Sequence, residues 1–191
     1  SAFLLIISVY AGTGSLAIRL SQLDYHMTCS DISPDMIRWA ETKARRAKAT
    51  IDFSVSDMLA FQSDKTFDAV ICLYDSVNYL PQKEDFEKLL ANVTPLLKRA
   101  GLFVFDVCTE FNSLENFNQR YEHDKELGYK RRSYYVPDRR IQINDIEMNI
   151  DGNIFHEKHC QNIYRLSDIT EEIEKSAFRI INRFENLSFK Q

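Results

Sequence analysis

The chain has 191 residues, 45% of them hydrophobic, and a formal net charge of −4 at pH 7, which suits one domain with a sizeable core and excludes a broad nucleic-acid footprint. Four cysteines, Cys29, Cys72, Cys108 and Cys160, form no CxxC pair, so spacing supports no metal site; Cys72 and Cys108 lie in apolar runs and fit free thiols in a reducing, cytoplasmic setting. The opening run FLLIISV is too short to cross a membrane and lacks the basic start of a signal peptide, so no membrane partner is expected.

Phe3 to Val9 is a short, continuous apolar run, the pattern of a strand buried on both faces. A glycine-containing loop follows, then a helix from Gly14 to about Leu23. Tyr25 to Ser30 reads as a second strand closed by Asp31. Ser33, Pro34 and Asp35 supply an N-cap, a first helical position and a first-turn acid, and Met36, Ile37, Ala40, Ala44 and Ala47 then share one helical stripe. Ile51 to Val55 and Phe67 to Leu73 are the third and fourth strands. Lys83 to Lys98 is helical but broken near Pro95, and Gly101 to Val107 is a fifth strand. This alternation predicts an α/β fold: a Rossmann-like, mostly parallel sheet with helices on both faces, spanning residues 1–109. Ligands bind such sheets beyond the carboxyl ends of the strands, where Tyr10 to Gly14, Asp31, Asp57, Tyr74 and Asp75 fall.

Residues 110–164 read as a small antiparallel insertion. Phe111 to Leu127 is polar and charged, fitting a helix or lid. Tyr129 to Gln161 alternates like a meander with turns at Pro137-Asp138 and Asp151-Gly152. Residues 165–191 are expected to add a helix from about Asp168 to Ala177 and one or two strands that complete the core sheet.

The loop Gly12-Thr13-Gly14-Ser15-Leu16-Ala17 fits the GxGxxG/A pattern of a dinucleotide site, with Asp31 placed to accept two ribose hydroxyls. It also fits a tight strand-to-helix turn. The wider motif set resembles the class I S-adenosylmethionine-dependent methyltransferases. IISVYAGTG is similar to that family's first motif, SDISPDMIRWAETKA to its second, SVSDMLAF to its third, FDAVICLYDSVNYL to its fourth and LLKRAGLFVFDVCT to its strand-five motif. Ser8 stands where the family carries an acid, Tyr10 where it carries a small residue, and Ala100 where it carries a glycine. The resemblance implies S-adenosyl-L-methionine as cofactor. It would be held by Tyr10, Ala11, Gly12 and Gly14, with Asp31 and Ile32 at the ribose, Asp57 and Met58 at the adenine, and Leu73 and Tyr74 alongside.

Glu157, His159 and Gln161 alternate, so on a strand they share a face, with Tyr164 near its end. This is an exposed polar face or an acceptor site in which Glu157 and His159 take a proton. The spacing resembles a stretch in small-molecule methyltransferases with an antiparallel insertion after strand five, including amino-sugar N-methyltransferases. Asp75, Asn78 and Tyr79 follow strand four, where that family's acceptor enters; Asp75 could equally cap the next turn. The expected function is methyl transfer to N or O of a small polar metabolite. A non-catalytic cofactor-binding protein, suggested by Ser8 and Tyr10, and an NAD-dependent oxidoreductase, suggested by the glycine loop with Asp31, are the competing readings.

Overall fold

The computed structural model describes residues 4–184. Two sheets organise them. The first is parallel, in the order β3-β2-β1-β4-β5, and consists of β1 (Leu5–Val9), β2 (His26–Asp31), β3 (Ile51–Val55), β4 (Phe67–Cys72) and β5 (Leu97–Phe105). Residues 56–66 join β3 to β4 without a helix, and the other three crossovers are made by helices. These are α1 (Ser15–Ser21), α2 (Pro34–Arg46) and α3 (Lys83–Val93). Chain order reverses between β1 and β4, which opens a crevice at their carboxyl ends.

Apolar residues on both faces of the sheet explain the layering. Ile7, Val9, Phe67, Val70 and Cys72 pack under Phe86, Leu89 and Leu90 of α3 and under Ile169 and Ile173 of α5 (Leu166–Lys175). On the opposite face, Ile6, Met27 and Cys29 pack with Ala17 of α1. Burying a side chain such as Phe67 or Leu89 contributes about 1.5–3 kcal/mol. Ser33 caps α2, its hydroxyl accepting from the Met36 N–H, with Pro34 at the first position. Ile37, Ala40 and Ala44 bury the expected stripe, whereas Met36 is exposed.

The insertion is a four-stranded antiparallel sheet in the order β6-β7-β8-β9, made of β6 (Arg120–Asp124), β7 (Tyr129–Val136), β8 (Ile141–Ile150) and β9 (Asn153–Asn162). Its buried face is polar. Ser133, Gln142, Asn144 and Gln161 are all under 9% exposed. Ser113 Oγ donates to Gln142 Oε1 at 2.8 Å, Gln142 Nε2 to Gln161 Oε1 at 3.2 Å, and Ser133 Oγ to Asn144 Oδ1 at 2.6 Å. Paired in this way, the groups avoid the cost of unsatisfied burial.

Several sequence-based boundaries move. The fifth strand begins at Leu97 rather than Gly101. Leu97 is followed by the charged Lys98 and Arg99, Ala100 takes a left-handed φ of 62°, and the pairing with β4 shifts register there. The segment read as a helix or lid holds a short turn, α4 (Glu110–Asn112), a wider helical turn over 113–117, and then β6. Residues 178–184 carry no strand, so the expected closing strand is not found over them. The rest of that expectation, residues 185–191, and the expected start at Phe3 lie outside the described residues.

Candidate active site

The loop after β1 turns on left-handed residues. Tyr10, Gly12 and Gly14 have φ of 59°, 54° and 70°. Gly14 allows close packing of α1 against α2, because a Cβ there would come within 3.0 Å of Ala40 Cβ. Gly12 differs: a Cβ at that position would meet nothing within 4 Å. Its backbone therefore borders open space at the carboxyl end of the sheet, as a loop that lets a ligand approach the main chain should.

Asp31, 4% exposed at the end of β2, ties this loop to the next. Its Oδ2 accepts from the Gly12 N–H at 2.8 Å and its Oδ1 from the Ser33 N–H at 2.9 Å. Each carboxylate oxygen can accept a second bond, so these tethers leave capacity for a ribose hydroxyl. Ile32 beside it is 55% exposed. After β3, Asp57 is exposed and accepts from the Leu59 N–H at 2.8 Å through Oδ1. Met58 is buried in the core instead, beneath the site.

Beyond β4 the chain is held in a strained pair of left-handed residues, Tyr74 at φ 64° and Asp75 at φ 56°. Asp106 holds both, accepting from their N–H groups at 3.1 and 2.9 Å. Tyr74 is 77% exposed. Burial, and then the neighbouring Asp106 charge, push the Asp75 carboxyl up to about 6.

Asn78 corrects an expectation. It was read as an acceptor-binding residue, but it is fully buried and its amide is committed to the fold. Its Nδ2 donates to Asn162 O at 2.8 Å and to Cys108 O at 3.1 Å, and its Oδ1 accepts from the Cys108 N–H at 2.7 Å. Gln161 is likewise 5% exposed and bonded to Gln142, and the Tyr164 hydroxyl donates to Leu80 O at 2.6 Å. Asn78 and Tyr164 clasp the segment after β4 to the end of β9 and the residues just beyond it, while Gln161 ties β9 to β8, so the Asn78 and Gln161 amides are spent on the fold.

The clasp brings together groups far apart in sequence. Tyr10 stacks on Tyr79, with centroids 5.6 Å apart and planes 25° from parallel. Tyr79 Oη lies 2.9 Å from His159 Nδ1. His159 Nε2 lies 3.3 Å from Glu157 Oε2, and that carboxylate is about half exposed. One chain of contacts thus runs from the glycine loop to the insertion. Tyr10 and Tyr79 are held as neutral phenols: burial first, then neighbouring ionisable groups, push Tyr10 up to about 12 and raise Tyr79 in the same direction. Sequence spacing had paired Glu157 with His159, but nothing in it joined Tyr79 to them across 80 positions. Among the described residues no cluster of His, Cys, Asp and Glu could hold a metal ion, and no helix is long and apolar enough to cross a membrane.

Comparison with known proteins agrees with this architecture. A family model described as a methyltransferase domain matches residues 6–101, half of the chain. A putative methyltransferase of Bacillus subtilis is 28% identical over 92% of this chain and 73% of its own length. A glycine/sarcosine N-methyltransferase of Parasynechococcus marenigrum is 33% identical over 53% of this chain and 36% of its own. Among solved structures, an S-adenosylmethionine-dependent methyltransferase from Clostridium acetobutylicum superposes with a TM-score of 0.80 at 22% identity, covering 91% of this chain and 72% of that one. The dinucleotide reading of the glycine loop falls with these matches. The chain belongs to the methyltransferase domain family, and its fold is that of the S-adenosylmethionine-dependent methyltransferases.

Proposed function

We propose that this enzyme methylates a nitrogen or oxygen of a small polar metabolite, in the space between the glycine loop and the insertion sheet. The observation that carries the reading is the contact chain Tyr10–Tyr79–His159–Glu157, which sets a proton-accepting pair beside the loop. Two relatives favour a nitrogen acceptor: the glycine/sarcosine N-methyltransferase above, and a sugar N-methyltransferase from Streptoalloteichus with the same architecture at a TM-score of 0.71.

The donor, S-adenosylmethionine, supplies an electrophilic methyl group, so transfer is an in-line displacement and the protein's work is to position, orient and keep dry. In this reading the Gly12 backbone and Asp31 hold the ribose side, Ala11, Gly14 and Tyr10 border the amino-acid side, and Ile32 and Asp57 border the adenine. Leu73 and Tyr74 flank the cofactor, and Asp75 meets the acceptor. His159, backed by Glu157, accepts a proton from the acceptor as the new bond forms.

Calorimetric titration with S-adenosylmethionine and its demethylated product S-adenosylhomocysteine, followed by mass-spectrometric detection of methylated amines and sugars, tests the proposal. Saturable binding of both with methyl transfer to a small amine is expected. No binding at millimolar ligand, or transfer only to macromolecules, would sink it.

A further inference from the structure

We propose that Tyr79 governs the acceptor-side base: its hydroxyl donates to His159 Nδ1 and so keeps the proton of the neutral ring on Nε2. The inference deepens the reading of Glu157 and His159 as the proton-accepting pair, and rests on it.

The hydrogen-bond polarity admits one arrangement at neutral imidazole. Glu157, about half exposed at 3.3 Å from Nε2, is an acceptor when ionised, so the ring nitrogen facing it must carry hydrogen. That leaves Nδ1 as the lone-pair nitrogen, 2.9 Å from Tyr79 Oη. Burial keeps the phenol protonated, so it can donate there. The acid–imidazole–hydroxyl order is that of a triad, with phenol in the place of the hydroxyl nucleophile.

Two features hold Tyr79 in place. Its ring is stacked by Tyr10, and the neighbouring Asn78 and Leu80 are bonded directly to β9 and to the residues just beyond it. Tyr79 is therefore a built contact between the two halves of the site rather than a surface phenol.

The consequence is a route for the proton. The basic nitrogen of His159 is covered by the Tyr79 hydroxyl, so a proton reaches it through that oxygen. As the methyl carbon leaves sulfur and bonds to the acceptor, the acceptor's proton passes to Tyr79 Oη and the phenol's own proton to Nδ1. Glu157 then faces the imidazolium, which returns the proton to water after product leaves. No charge is left on Tyr79, which suits a phenol that burial disfavours ionising.

Nitrogen-15 NMR of the imidazole, in protein without cofactor or acceptor, tests this. At a pH where His159 is neutral, the wild type should show hydrogen on Nε2 and an unprotonated Nδ1. Tyr79→Phe leaves Glu157 as the remaining bias and should raise the share of the tautomer with hydrogen on Nδ1, and a His159→Gln spectrum assigns the signals. Hydrogen on Nδ1 in the wild type would overturn the proposal even if the Phe variant fails to fold. So would an unchanged tautomer in a folded Tyr79→Phe protein. Failure here is distinct from failure of the functional reading, because cofactor binding is measured separately and needs no histidine tautomer.

Discussion

The two sheets bury their inner faces by opposite means. The parallel sheet is sealed by apolar side chains above and below, with Ile7, Phe67 and Val70 fully buried. The insertion sheet buries Ser133, Gln142, Asn144 and Gln161 and leaves Ile150, Ile154 and Phe155 half exposed or more. Hydrophobic burial is non-directional, so the first sheet is stabilised by shape and volume. Hydrogen bonds are directional, so the second is stabilised by donor and acceptor matching. A scaffold of the first kind suits a shared cofactor. One of the second kind can bring polar groups to bear on one particular acceptor.

Substitutions sharpen this contrast. The largest loss should come from the parallel sheet: Phe67→Ala empties a fully buried site at the start of β4 and should cost about 3–5 kcal/mol in denaturant unfolding. A loss under about 1 kcal/mol would mean that the core does not rest on packing as argued. Asp31→Ala removes the acceptor for two loop N–H groups, and should weaken S-adenosylmethionine binding by roughly 1.5–3 kcal/mol in calorimetry. Unchanged affinity in the folded variant would refute its place at the cofactor. In the insertion, Gln142→Ala leaves Ser113 and Gln161 short of partners and should cost about 1–3 kcal/mol. Gln142→Leu, similar in size, should cost nearly as much if matching rather than volume is what counts.

The smallest effect is read as a slope. The Asp75 carboxyl is raised to about 6 in the folded state, against about 4 for an unperturbed aspartate. The folded state therefore binds the proton more tightly, and stability falls as pH rises from about 4 through about 6. Asp75→Asn should remove that part of the pH dependence and leave the variant the more stable at pH 8. Parallel stability–pH curves for the two proteins would count against the assignment.

The same division decides what could be read in advance. A continuous apolar run marks β1, an apolar stretch broken only at Asp68 marks β4, and β3 spans Ile51–Val55 as expected. The Ser33-Pro34 signal placed the start of α2. By contrast, β6 has no apolar alternation in RYEHD and forms because β7 offers it an edge. The start of β5 was missed because Lys98 was read as the end of the preceding helix and Arg99 was assigned to neither element, although both belong to the strand beside a left-handed Ala100. At the site, sequence order located the loop, Asp31 and the Glu157–His159 face. It misjudged Asn78 and Gln161, since a polar side chain beside a site reads alike whether it faces ligand or binds the backbone. Tyr79 was placed with Asp75 and Asn78 where the acceptor enters but not joined to His159, because that partner lies across a tertiary contact.

One feature of the fold equips the protein for spectroscopy. Burial pushes the Cys29 and Cys72 thiols up to about 12 and raises Cys108 as well, so almost none of their reactive thiolate exists at neutral pH. Cys160 alone among the cysteines is exposed, on β9 next to His159. A maleimide dye added to the native protein should therefore attach at a single place, one residue from the candidate base. No cysteine needs to be removed or introduced to give that strand a fluorescent reporter of acceptor arrival.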